Sequence, residues 1–91
     1  MVEATLWVAP HAQTVARRVG DQALIVLADR GEVLVINASG AQLWAQIAEG
    51  CTAGALSETL TATFGIDRAR AWSDVETFLE HLMAVGAVVG R

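Results

Sequence analysis

The spacing of apolar residues changes after residue 36, and this change predicts a small sheet followed by helices. Before that point the apolar residues alternate with polar ones or form short runs rich in β-branched side chains, a pattern typical of strands. Gly20-Asp21 and residues 29–31 separate these runs as turns. The predicted strands are Thr14–Val19, residues 23–28 and Glu32–Ile36. Together they predict a three-stranded antiparallel β-meander.

After residue 36 the apolar residues recur three and four positions apart, which predicts three helices. The first is capped by either Asn37 or Ser39, the second by Thr52 and the third by Asp67, because these side chains accept hydrogen bonds from free N–H groups. Each helix is followed by a glycine. The apolar stripes are Leu43, Trp44 and Ile47; then Leu56, Leu60 and Phe64; and finally Val75, Leu79 and Leu82. The fold class predicted for this single domain, residues 1–91, is α+β and winged-helix-like.

Both ends of the chain allow two interpretations. Residues 1–12 contain Leu6, Trp7 and Val8 before Pro10, so they form either an added strand that Pro10 ends or a disordered segment. Residues 87–89 follow Gly86 and form either a short last strand or an extended tail.

Charge argues against a nucleic-acid partner. The chain has six Arg, no Lys and ten acidic residues, for a net charge of −4, whereas phosphate binding requires clustered positive charge. Arg68 and Arg70 near the start of the third helix keep a winged-helix DNA-binding or transcription-regulatory domain as the alternative function. No apolar run reaches membrane-spanning length and no signal peptide is visible, so we expect a soluble cytoplasmic protein without membrane contact.

The side chains that could perform catalysis are sparse and scattered. Cys51 is the single cysteine, and His11 and His81 are far apart in the sequence. Glu76 and Glu80 share a helix face, but without a nearby His or Cys they indicate a solvated acidic surface. We therefore predict a protein that is not an enzyme and has no metal site and no cofactor.

The last strand of the predicted meander is the candidate for function. Glu32–Ile36 has a free edge unless another element covers it, and an extended peptide can pair with such an edge. An edge strand without any function is the alternative. The third helix would flank the strand, so that Ala71, Asp74, Phe78 and His81 form the wall of a groove. Phe78 is equally explained by core packing, and Asp74 by a cap or an Arg pair.

Several motifs in order resemble the PqqD family. They are Ile36-Asn37 with Gly40 and Trp44, then Gly50-x-Thr52, and then Asp74-Val75-x-x-Phe78-Leu79-x-x-Leu82 before Gly86. The resemblance extends over residues 15–89. Ile36, Phe64 and Ala87 depart from the usual residues of the family but remain apolar.

The resemblance implies a non-catalytic role in pathways of ribosomally synthesised and modified peptides, such as PQQ or lasso-peptide biosynthesis. The domains of this family bind the leader region of a precursor peptide as an added strand, and they present it to a modifying enzyme or leader peptidase. In this chain, the implied peptide-binding residues are those of Glu32–Ile36, in full Glu32, Val33, Leu34, Val35 and Ile36, beside a helix over residues 67–85. Pairing of the same edge with a second copy would instead give a homodimer, and an enzyme-complex subunit without peptide affinity is a third possibility.

Overall fold

Two antiparallel sheets and three helices make up the protein in the computed structural model, which describes residues 2–90. The strands are β1 (Trp7–Pro10), β2 (Thr14–Val19), β3 (Gln22–Leu27), β4 (Glu32–Ile36), β5 (Cys51–Thr52) and β6 (Val88–Gly90). The helices are α1 (Ala38–Glu49), α2 (Ala53–Phe64) and α3 (Arg68–Ala84). This architecture confirms the predicted α+β class.

The larger sheet is the predicted meander, with strand order β2-β3-β4. β2 and β4 have the predicted bounds, and β3 begins and ends one residue earlier than predicted. Ala23 pairs with Ile36 and Ile25 with Leu34, so these four side chains lie on the inner face of the sheet. The central strand therefore contributes its alternate residues to the core, where Ile25 is fully buried.

A smaller sheet with strand order β5-β1-β6 joins the two ends of the described chain. The added-strand interpretation of residues 1–12 and the strand interpretation of residues 87–89 are therefore both correct, and β1 ends at Pro10 as expected. No pattern in the sequence predicts β5, which has only two residues. The segment before β1 also stabilises α2: the Ala53 N–H donates to the Leu6 carbonyl and the Gly54 N–H to the Ala4 carbonyl, each at 2.9 Å.

Each helix begins at a side-chain cap. Asn37, and not Ser39, caps α1: its Oδ1 accepts from the Gly40 N–H at 3.0 Å. Thr52 caps α2 and Asp67 caps α3 in the same way, as predicted. Gly65 follows α2 with φ 68°, a left-handed conformation that glycine adopts without steric cost.

One apolar core connects the helices with both sheets. The predicted stripe of α3 is buried, since Val75 and Leu79 are 0% exposed and Leu82 is 1% exposed. Trp44 also belongs to the core, as predicted. Phe64 departs from its predicted place in the stripe of α2: it is the last residue of the helix and is 39% exposed, because the chain turns away at Gly65.

The start of α1 packs closely against both β4 and α3. A Cβ atom added at Gly40 would collide with Cγ2 of Ile36 and would lie 3.4 Å from Cε1 of Phe78. The absence of a side chain at residue 40 therefore allows Ile36 and Phe78 to approach the same turn of α1.

We expect Gly40→Ala to lower the free energy of unfolding by about 1–3 kcal/mol, because the added methyl group overpacks this contact. This outweighs the gain of up to about 1 kcal/mol that alanine brings to a helix interior. Urea unfolding followed by circular dichroism measures the change, and a variant as stable as the parent would contradict the packing described.

Candidate functional site

The outer edge of β4 offers unpaired backbone groups. Among the described strands, β4 pairs with β3 alone. Backbone hydrogen bonds alternate in direction along an antiparallel ladder, and the Ala28 N–H donates to the Gln13 carbonyl, toward β2. It follows that Leu34 and Ile36 direct their N–H and C=O groups at β3. Val33 and Val35 direct theirs away from the sheet, at the free edge.

Helix α3 runs beside this edge in the opposite direction to β4, since Phe78 lies near Gly40 just past the end of the strand, whereas Gly86, after the helix, lies near Arg30 just before the strand. A cavity of about 240 Å³ lies between them, with Leu34, Val35 and Ile36 on the strand side. Phe78, His81 and Leu82 line it on the helix side. Because Leu34 and Ile36 face inward, the cavity lies on the side of the sheet that α3 covers. We call this cavity the strand groove.

A second cavity, of about 350 Å³, continues beyond the end of β4. Asn37 and Phe78 border both cavities, so the two are neighbours. Residues of all three helices and of the loop that follows α2 line this second cavity; we call it the helical pocket. It is lined by Asn37, Ser39, Gly40, Leu43, Leu60, Ile66, Asp74, Thr77 and Phe78.

The structure brings most of the predicted groove residues together, in two places. Phe78 and His81 line the strand groove, whereas Asp74 lines the helical pocket. Phe78 is half-buried against the core and also borders both cavities, so core packing and a groove position are both true of it. Asp74 pairs with Arg70, whose Nε lies 3.2 Å from Oδ1 of Asp74. Glu32 and Val33 belong to the exposed edge and do not line either cavity.

Ala71 requires a correction. It was predicted in the groove wall, but it is 0% exposed and belongs to the apolar core. Each residue turns a helix by about 100°, so Ala71 and His81 differ by about 80° around the axis of α3. Ala71 therefore lies at the edge of the predicted stripe that is nearest the core, about 60° from Asp74 and about 80° from His81.

Sequence reasoning missed several residues of the site. Asn37 was predicted as a helix cap, yet it also lines both cavities. Thr77 is exposed and polar, so no pattern distinguished it from the solvated face of α3. The helical pocket as a whole combines residues distant in the sequence, such as Leu43 and Ile66, and no local signal could predict their meeting.

The remaining candidate side chains do not form a reactive cluster. Within residues 2–90, there is no group of three or more His, Cys, Asp or Glu residues that could hold a metal ion. Cys51 lies in β5, away from both cavities, and its burial raises the pKa of the thiol. For the same span, none of the helices combines the length and the apolar character that crossing a membrane requires.

We expect Cys51 to react with iodoacetamide at pH 8 more slowly than the cysteine of a short unstructured peptide. A raised pKa leaves less of the thiol as thiolate, which is the reacting form. Mass spectrometry of timed samples measures the rate. Equal rates in the folded protein and the peptide would contradict the burial of the thiol.

The comparisons with known proteins agree with this architecture. Residues 22–88 match the family described as coenzyme PQQ synthesis protein D (PqqD). Since this match covers most of the chain, the chain belongs to the PqqD family. It is also similar to a solved structure, that of TbiB1 in complex with the TbiA(beta) leader peptide, with a TM-score of 0.84 and 19% sequence identity. The similarity covers 88% of this chain and 93% of TbiB1, and at this identity it shows a shared fold. No curated protein matches the sequence.

Proposed function

We propose that this protein binds the leader region of a ribosomally synthesised precursor peptide, without catalysing a reaction itself. The leader adds as a strand to the free edge of β4, beside α3, and the complex delivers it to a modifying enzyme or leader peptidase in the cytoplasm. The observation that carries the proposal is the outward direction of the backbone groups of Val33 and Val35. An added strand can exchange hydrogen bonds with these groups while its alternate side chains enter the strand groove.

The two free edges of the larger sheet differ in a way that favours β4. β2 carries Arg17 and Arg18 within six residues, and charged side chains on an edge strand discourage further pairing. β4 carries only Glu32, at its start. The strand groove also adjoins β4, so a peptide paired there gains side-chain contacts. The edge of β4 therefore combines few charged side chains with an adjoining groove, and this combination suits peptide recognition better than an uncovered edge alone.

Membership of the PqqD family supports this proposal, and so does the shared fold with TbiB1, which was solved with a leader peptide. Neither comparison favours the DNA-binding alternative.

We expect Val35→Pro to weaken binding of the leader of its own pathway by roughly tenfold or more. Proline removes the outward N–H of Val35 and places its ring where the added strand would lie. The fold should survive, because proline is tolerated on an edge strand when the missing N–H faces outward. Titration of a fluorescently labelled leader, followed by anisotropy, measures the affinity.

Ala16→Pro is the matched control. By the same alternation, Ala16 in β2 directs its N–H at the opposite free edge of the sheet. This variant should bind the leader as the parent protein does. If Val35→Pro is folded and binds normally, or if Ala16→Pro is folded and loses binding to the same extent, strand addition to β4 is not the mode of recognition.

We expect Phe78→Ala to weaken leader binding by roughly 10- to 100-fold, since Phe78 borders both cavities and its ring would be covered by the peptide. Phe78→Leu, which keeps an apolar side chain, should recover most of the affinity. Isothermal titration calorimetry measures the affinity of both variants for the leader. Circular dichroism excludes unfolding, and a folded Phe78→Ala variant with unchanged affinity would remove Phe78 from the site.

A further inference from the structure

We propose that the helical pocket is a separate anchor site, which selects one apolar side chain of the bound peptide outside the segment that pairs with β4. This inference rests on the proposed function and adds a second determinant of specificity to it. It assigns the pocket to the recognition of side chains, whereas β4 recognises the peptide backbone.

The interior of the pocket is apolar. Leu43 and Leu60 form its buried base, at 4% and 3% exposure, while Ile66 and Phe78 are partly buried against the same core. Desolvation of these surfaces would be favourable for any apolar side chain that covers them.

Two polar groups at the rim, the Oδ1 atoms of Asn37 and Asp74, have hydrogen-bond partners within the protein. Oδ1 of Asn37 accepts hydrogen bonds from the Gly40 N–H and from the Ser39 hydroxyl, at 3.0 and 3.2 Å. Oδ1 of Asp74 accepts from Arg70 Nε. Because these groups have partners on the rim, the pocket suits an aliphatic or aromatic side chain better than a charged one.

The position of the pocket sets the spacing between anchors on the peptide. His81 lines the strand groove and Asp74 lines the helical pocket, and along α3 they are separated by about 10 Å. An extended peptide covers this distance with about three residues. A peptide strand on β4 that continues past Asn37 therefore brings a second side chain to the helical pocket, roughly two to four residues from the one in the strand groove.

The test uses a random-peptide display library, selected on the wild-type protein. We expect the selected peptides to share two apolar positions at the spacing given above. In a selected peptide, replacing the residue in the helical pocket by alanine should weaken binding by roughly 10- to 100-fold.

The variant Thr77→Trp tests whether the helical pocket holds this side chain. Thr77 is exposed on the rim of the pocket, and a larger side chain there would fill it. This variant should weaken binding of the selected peptide by a comparable factor but leave the affinity for its alanine version unchanged. The substitution in the protein and the alanine replacement in the peptide remove the same contact, so their effects should not add. Thr63→Trp is the matched control: Thr63 is exposed on α2 and borders neither cavity. It should change neither affinity.

Two results would overturn the inference. The selected peptides could share only a single apolar position, or Thr77→Trp could weaken binding of the selected peptide and of its alanine version equally. If circular dichroism shows that Thr77→Trp is unfolded, Ile66→Ala replaces it: the enlarged pocket should select larger side chains, and an unchanged preference would refute the inference. Failure of the proposed function has a different signature. In that case the folded wild-type protein selects no peptide, or the selected peptides bind Val35→Pro as well as the wild type.

Discussion

The contact of Ile36, Gly40 and Phe78 holds the edge strand, the first turn of α1 and the middle of α3 in one arrangement. Gly40 makes it possible, since any Cβ there would collide with Ile36. Phe78 in turn borders both cavities, so a shift of its ring would alter the strand groove and the helical pocket together. A side chain that belongs half to the core and half to the surface therefore couples the stability of the fold to the shape of the site.

The two sheets have different structural roles. The smaller sheet joins β1 to both β5 and β6, and the segment before it supplies carbonyl partners for the first turn of α2. These contacts hold the helices against the first and last strands of the described chain. The larger sheet can then leave β4 uncovered, because its inner face is already buried against the helices through Ile25 and Ile36. An open edge is a liability for aggregation in many sheets, and here the arginines of β2 restrict it to one side.

Local sequence patterns were sufficient for the elements with strong periodicity or clear caps. The meander, the three helices and the caps at Thr52 and Asp67 were all predicted, because each depends on neighbouring residues. β5 was not predictable, since it is a two-residue strand that exists only through its pairing with β1. Ala71 was misplaced because the predicted stripe spans about 80° of the helix surface and its inner edge faces the core. The helical pocket brings together Leu43, Leu60 and Thr77 from three helices, and packing of this kind is not encoded in any single segment.

The alternation of hydrogen bonds in β4 limits how much affinity the backbone can supply. Only Val33 and Val35 within the strand face outward, and each hydrogen bond contributes a net of about 0.5–1.5 kcal/mol. The N–H and C=O groups of these two residues together account for roughly 2–6 kcal/mol, whereas a micromolar complex requires about 8 kcal/mol after the loss of translational freedom is included. The backbone edge thus fixes where a peptide lies and in which register, but it leaves a deficit that only side-chain burial can fill. A short strand of this kind would hold many sequences weakly and retain only those whose side chains fit the surface next to it.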